Sequence, residues 1–214
     1  MPKNSLPSPA NKPLNACMRI TGGQAGRRIL KVPKGLAVRP TPDLVKQAVF
    51  NSLGARVVDA RVLELFAGTG ALSLECLSRG AVSAVCVEKS QRHAQFIRQN
   101  AQTAGVALDA LEVRVQDVFA VIPQLVSTGR QFDSILADPP YGEKNIGRRS
   151  TSLAQQLLDN PTLPKLLAPD GLFVLGHARR DTLSVPETWH ELRTLKHGDS
   201  WMRFFEVSGQ EAEG

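Results

Sequence analysis

Cysteine is sparse. The three present, Cys17, Cys76 and Cys86, form no C-x-x-C pair, and an odd number does not build a disulfide framework. Cys76 and Cys86 fall inside apolar segments and read as reduced core thiols. The four histidines, His93, His177, His190 and His197, stand without i, i+4 partners or nearby cysteines, which argues against a structural zinc site. No apolar stretch approaches the roughly 20 residues that a membrane span requires. Residues 1–17 lack the apolar centre of a secretory signal. Their Pro, Asn and Ser content predicts a disordered extension, and residues 208–214 a disordered tail. There is no internal repeat, and tyrosine occurs once, at Tyr141. A cytoplasmic protein, monomeric, without metal and without a membrane partner, is expected.

Acidic residues are almost missing from the first quarter. Residues 1–56 hold 10 Lys and Arg against the single acid Asp43, giving +9, whereas residues 57–214 hold 16 bases and 19 acids, giving −3. The net charge of +6 therefore resides in the N-terminal segment. That asymmetry fits a polyanion-binding arm on a near-neutral domain, or else a solvated basic tail. With 214 residues the chain can bury one full core but not two large ones. The expected organisation is an extension over 1–17, a basic arm over 18–56, a main domain over 57–207 and a tail over 208–214.

From residue 57 onward, short apolar runs alternate with helical patterns. "RVLELF" (61–66), "AVSAVCVE" (81–88), "LEVRVQD" (111–117), "FDSILAD" (132–138) and "GLFVLG" (171–176) read as parallel strands buried on both faces. Helices are predicted over 71–78, from a Ser90 cap to 104 with Gly105 as stop, near 119–126 and near 152–160. This order gives an α/β, doubly wound sheet with right-handed crossovers. "WHELRTLK" and "SWMRFFEV" flank His197-Gly198-Asp199 and predict a closing antiparallel hairpin. Upstream, residues 18–33 read as a small basic hairpin turning at Gly22-Gly23. "RPTPDLVKQAVFNSL" (39–53) reads as a helix with Thr41 as N-cap, Pro42 at the first position, and Val45, Ala48, Val49 and Leu53 as its buried stripe.

"LELFAGTGALSLE" (63–75) is a strand, a glycine turn and a helix start. Gly68 and Gly70 let backbone approach a ligand, and the helix N-terminus offers free N–H groups. A nicotinamide dinucleotide site is one reading, but Ser73 stands where the third glycine of G-x-G-x-x-G would be. Acids follow four consecutive strands: Glu64, Glu88, Asp117 and Asp138. At the ends of parallel strands such acids share one edge. There Glu88, 18 residues after Gly70, can accept ribose hydroxyls, and Asp117 can take an adenine amine. With "FAGTG" they suit an adenosine-bearing ligand, and the arrangement resembles the class I S-adenosylmethionine-dependent methyltransferases.

"SILADPPYGEK" (134–144) then acquires a purpose. An exocyclic base amine is a poor nucleophile, because its lone pair is delocalised into the ring. Asp138 can accept its hydrogens. Pro139 has no N–H to compete and can aim a carbonyl at the same amine, and Tyr141 offers a face for a flipped base. A rigid strand exit is the bland alternative. The [DN]-P-P-[YF] element occurs in methyltransferases of planar amines, and Asp rather than Asn at its start points to a nucleobase.

Across residues 18–207 the chain resembles the bacterial 16S rRNA (guanine-N2)-methyltransferase family. The motifs that carry this are "MRITGGQ" with "GRRILKVP", "RPTPDLVKQAVFNSL", "LELFAGTGALSLECLSRGA", "VEKS", "ADPPY" and "GDSWMRFFEV". The resemblance implies a Rossmann-like, mostly parallel seven-stranded sheet. It implies that Phe66, Ala67, Gly68, Thr69, Gly70, Glu88 and Asp117 contact S-adenosylmethionine. It implies that Asp138, Pro139, Pro140 and Tyr141 hold a loop guanine of the small-subunit head, with Arg39 and Thr41 near the substrate entrance. The implied substrate is 16S rRNA in an assembled or nearly assembled small ribosomal subunit. Arg27, Arg28, Lys31, Lys34, Arg39 and Lys46 are assigned to phosphate contacts as a group. The sequence departs from the family at two points: Ala25 leads straight to Gly26 at the hairpin tip, and "LGHARRD" offers His177 and two arginines where an acid is expected. Competing readings are a DNA adenine-N6 methyltransferase, for which no sequence-reading insertion is present, and a non-catalytic RNA-binding assembly factor of the same fold.

Overall fold

A computed structural model describes residues 18–33, 41–141, 145 and 148–209. Its centre is a seven-stranded sheet in the order β3-β2-β1-β4-β5-β7-β6. The strands are β1 (Arg61–Leu65), β2 (Ser83–Val87), β3 (Leu111–Arg114), β4 (Phe132–Ala137), β5 (Leu167–Ala178), β6 (Trp189–His197) and β7 (Ser200–Val207). The first five are parallel, and β7 enters antiparallel between β5 and β6. Helices α1 (Asp43–Leu53), α2 (Ala71–Ser78), α3 (Gln91–Ala104), α4 (Val118–Ser127) and α5 (Leu153–Leu158) complete the fold. This is a Rossmann-like class I methyltransferase architecture.

The pleat sorts side chains to two cores, because successive strand residues face opposite sides. Leu63, Leu65, Val85, Ile135, Phe173 and Leu175 pack with Val121 and Ile122 of α4 and Leu157 of α5. Val62, Ala84, Leu136 and Val174 pack on the other face with Val49 and Phe50 of α1 and Leu72 and Cys76 of α2. The two cysteine side chains described, Cys76 and Cys86, are free and buried, as core thiols should be. Ser90 caps α3 by accepting from the His93 amide, and Gly105 ends it at φ 67.

Four expectations are corrected here. Strand β3 is only partly buried, because it forms the sheet edge. Strand β5 begins at Leu167 rather than 171: Leu167 pairs with Phe132, and a register shift carries Ala168–Gly171 past the ladder before pairing resumes at Leu172. In α1, Ala48 is only partly buried, while Lys46 and Phe50 join Val45, Val49 and Leu53 inside. Lys46 is not a phosphate contact. Its Nζ donates to the Arg19 carbonyl and pairs with Asp43 at 3.2 Å, so a buried charge has both partners it needs.

Residues 18–33 lie docked on α2 and α3. One bridge, Arg19 to Ile29, defines the hairpin, and its loop is broader than a turn at Gly22-Gly23, ending at Arg27 with φ 71. Met18, Ile20, Ala25 and Leu30 are buried against Leu74, Ala101 and Ala104. The fully buried Glu75 carboxylate accepts the Thr21 amide (2.7 Å) and hydroxyl (2.8 Å), and Ser78 Oγ donates to the Gly22 carbonyl (2.6 Å). Asn100 accepts the Lys31 amide and donates to the carbonyls of Lys31 and Thr69, tying the hairpin's end to the glycine turn. Among the described residues no helix is long and apolar enough to cross a membrane, and no group of three His, Cys, Asp or Glu side chains could hold a metal ion.

Candidate active site

The C-terminal ends of β1, β2 and β4 open onto a cavity of about 760 Å³. Phe66, Gly68, Glu88, Asp117, Asp138, Pro139, Pro140 and Tyr141 line it, joined by Lys89, His93, Val118, Phe119, Leu153 and Gln156. Strand order explains the convergence. The chain reverses direction of travel through the sheet between β1 and β4, leaving a crevice where their crossovers diverge.

The turn after β1 carries backbone strain. Phe66 has φ 58, a left-handed conformation that a bulky side chain rarely adopts. It places the Phe66 ring edge-on to Phe119, with centroids 6.2 Å apart, on the cavity wall. Gly68 and Gly70 follow at φ 55 and 73, and α2 begins directly behind. Ala67, Thr69 and Gly70 do not line the cavity. Ala67 is buried in the core, and the buried Thr69 directs its hydroxyl toward Met18 Sδ (3.4 Å). They shape the turn from behind.

Glu88 lines one wall. Oε2 accepts the Gly68 amide and Oε1 the Ser90 amide, each at 2.8 Å, with His93 Nδ1 3.3 Å away. A carboxylate has about four lone-pair sites, so two amides leave capacity for a ligand's hydroxyls. Asp117 caps α4 by accepting the Phe119 amide at 2.9 Å and stands 3.4 Å from Lys89 Nζ. Glu64 does not join these acids at the edge. It lies within β1, facing α2, and accepts the amides of Leu72 (3.3 Å) and Ser73 (2.9 Å). Burial pushes its pKa up to about 7, against the bonds from Ser73, Leu72 and Cys86 that favour the charged form.

The opposite wall is the D-P-P-Y segment. Asp138 Oδ2 accepts the Thr41 hydroxyl at 2.5 Å, while Oδ1 is buried without a hydrogen-bond partner. Burial holds the carboxyl above the usual carboxylate range, and the Thr41 bond opposes that. Pro139 is buried, and the Tyr141 hydroxyl meets Ser200 Oγ at 2.5 Å across to β7. Thr41 is therefore not the side-chain cap of α1. Pro42 takes the N-cap position, and no side chain caps the helix.

The basic candidates lie elsewhere. Arg27 is exposed at the end of the hairpin loop, and Arg28 Nη1 donates to the Thr103 carbonyl at 2.9 Å near the end of α3. Neither lines the cavity. Arg39 and Lys34 fall outside the described residues. After β5, Asp181 is buried with neither carboxylate oxygen hydrogen-bonded, and its backbone carbonyl faces His177 Nδ1 at 3.1 Å. It is absent from the cavity lining, so it does not bring the expected acid there. Sequence reasoning missed His93, which the Glu88-to-α3 spacing could have suggested. It also missed Gly176 of β5, where a Cβ would lie 2.4 Å from Asp138 Oδ1 on the neighbouring strand's exit.

Comparison with known proteins agrees with this geometry. The family described as conserved hypothetical protein 95 matches residues 18–206. The chain belongs to this family. It is thereby one of the class I S-adenosylmethionine-dependent methyltransferases, related to 16S rRNA methyltransferases. The ribosomal RNA small subunit methyltransferase D of Escherichia coli K12 is 39% identical over 194 residues, 90% of this chain and 91% of that protein. A putative rRNA methyltransferase, YlbH, of Bacillus subtilis is 31% identical over 175 residues, 82% of this chain and 89% of its own. Among solved structures, the putative methyltransferase yhhF from Escherichia coli superposes with a TM-score of 0.70 at 31% identity, covering 88% of this chain and 97% of that one. For this conserved hypothetical protein 95 family member, the fold implies S-adenosylmethionine as cofactor.

Proposed function

We propose that the protein transfers a methyl group from S-adenosylmethionine to the exocyclic N2 amine of a guanine in small-subunit 16S rRNA. One observation supports this most: a single cavity has the glycine turn and Glu88 on one wall and Asp138-Pro139-Pro140-Tyr141 on the other. In this reading Glu88 holds ribose hydroxyls, Asp117 the adenine amine, and Phe66 and Phe119 the apolar flank of the cofactor. The cofactor supplies an electrophilic methyl on a sulfonium. Asp138 accepts hydrogens of the guanine amine, which draws the nitrogen lone pair out of conjugation. As the new N–C bond forms, the methyl's bond to sulfur would break to leave a neutral thioether, and the amine, made acidic, would lose one proton by way of Asp138 to solvent, so no strong base is required. Tyr141 stacks on the base, and its hydroxyl contact to Ser200 fixes the ring. Catalysis here is positioning and electrostatics.

The nucleobase reading leans on the carboxylate at the head of D-P-P-Y, the ribosomal RNA substrate on relatives whose names specify it, and guanine N2 on the motif resemblance across residues 18–207. The arm over residues 18–56 is the RNA-facing part, with Arg27, Arg28, Lys31 and Arg39 meeting phosphates of an assembled or nearly assembled small subunit in the cytoplasm. The test is transfer of labelled methyl to undermodified small subunits, naked 16S rRNA and duplex DNA. N2-methylguanine in the subunits, absent with Asp138→Ala, is the expected result. Label appearing in DNA alone would replace this reading with an adenine methyltransferase.

A further inference from the structure

Three features around Asp138 go together. First, α1 starts without a side-chain cap, although Thr41 stands one residue ahead of its N-cap. An uncapped start typically costs a helix about 1 kcal/mol. The hydroxyl that could have served locally is committed instead to Asp138, 97 positions away in the chain. Second, β5 carries Gly176 in its interior, where glycine weakens a strand. A Cβ there would lie 2.4 Å from Asp138 Oδ1 and 3.1 Å from Met202 Sδ. Third, Oδ1 is buried and has no hydrogen-bond partner. Two local rules of good sequence are thus broken at one point, and both concessions benefit the same carboxylate.

We propose that Thr41 and Gly176 are positioning residues for Asp138: the Thr41 hydroxyl anchors one carboxylate oxygen, and the missing side chain at Gly176 makes room for the other. This rests on Asp138 being the group that receives the acceptor amine. Thr41 then serves the chemistry through Asp138 rather than by gripping RNA, and the N-terminal segment contributes to the active centre itself.

The surroundings leave the hydroxyl little competition. On α1, Asp43 and Lys46 pair with each other, and Asp43 also binds Arg19. On β1, Glu64 is held by the α2 amides. On β5, the His177 ring faces the carbonyls of Ala178 and Asp181. On β7, Arg203 pairs with Glu191. On the far wall, Glu88 is occupied by two amides and His93. Burial raises the Asp138 pKa, and the Thr41 bond is the influence that lowers it. An ionised carboxylate is what accepts amine hydrogens, so losing the hydroxyl moves the acid limb of activity to higher pH.

The experiment uses the full chain with Thr41→Val, Thr41→Ser and Gly176→Ala. Steady-state kinetics on undermodified small subunits are followed against pH, and S-adenosylmethionine affinity is measured by calorimetry. In Thr41→Val, kcat should fall about tenfold or more. Its acid limb should shift upward, with KM for the subunit and cofactor affinity unchanged. Thr41→Ser should restore both. Gly176→Ala should lower kcat in the same way. A Thr41→Val enzyme with wild-type kcat and acid limb overturns the proposal, as does a rise in KM alone, which would make Thr41 an RNA contact. A carbon-13 titration of the Asp138 carboxyl, assigned with Asp138→Asn, keeps the inference separate from the guanine reading. If no guanine is methylated, an unchanged carboxyl pKa in Thr41→Val still refutes it, and an upward shift still supports it.

Discussion

The Glu88 carboxylate accepts the Gly68 amide at 2.8 Å, so the acid at the end of β2 fixes the backbone of the turn after β1. Its other oxygen does the same for Ser90 at the head of α3. One side chain therefore sets the glycine turn and the start of α3 while also lining the cavity. Glu88→Ala should reduce S-adenosylmethionine affinity by about tenfold or more, since it also leaves two amides without an acceptor. Isothermal calorimetry checks this. Undiminished affinity would show that Glu88 serves the fold alone.

Glu64 predicts an unusual pH dependence of stability. Its folded pKa of about 7 lies above the ordinary 4.5, because burial opposes the charge. Between those values the native state binds the extra proton. Its contribution is complete below about pH 4.5 and is lost as pH rises toward about 7. The loss is on the order of 3 kcal/mol. Denaturant midpoints measured from pH 4.5 to pH 8 should show this decline in the wild type and a flatter profile in Glu64→Gln.

Gly70→Ala should destabilise more than Gly129→Ala. Both glycines are left-handed, at φ 73 and 67, so each substitution carries about 1–2 kcal/mol of backbone strain. At Gly70 a Cβ would also stand 2.9 Å from Ile97 Cγ2, whereas nothing lies within 4 Å at Gly129. Thermal melts of the two variants give the comparison. Equal losses would mean that the Ile97 side chain yields freely.

Gly23→Ala should unseat the hairpin. The added Cβ would fall 1.9 Å from the Ser78 carbonyl oxygen, a backbone atom fixed in α2 that also accepts the Gln24 amide at 2.7 Å. Hydrogen exchange should show faster exchange at Gln24 and Ala25, with β1 and β4 protection retained. Unchanged protection at those two amides would refute this tight docking.

The basic residues separate what charge counting can say from what it cannot. Lys46 belongs to the same N-terminal excess as Arg27, yet it is fully buried while Arg27 is exposed. A positive total does not tell which cations face water, since that depends on whether a carbonyl and a carboxylate stand ready to receive the charge. The acids behave the same way. Glu64 and Glu88 each sit at or near the end of a predicted strand. Pleat parity sends Glu64 to α2, while Glu88, one residue beyond β2, reaches the Gly68 amide.

The sequence by itself determined the order of strands and helices, the glycine turn, the D-P-P-Y exit and the closing hairpin. These depend on apolar periodicity and on residues with restricted backbones, which act over a few positions. Only the tertiary structure decided that Thr41 binds Asp138, that Gly176 lies against the Asp138 carboxylate, that β3 is an edge, and that the N-terminal hairpin rests on α2 and α3. Those outcomes join residues far apart in the chain, from 27 positions between Ala84 and Leu111 to 97 between Thr41 and Asp138. They follow from which strands become neighbours in the sheet and from the buried polar groups that must find partners once they do.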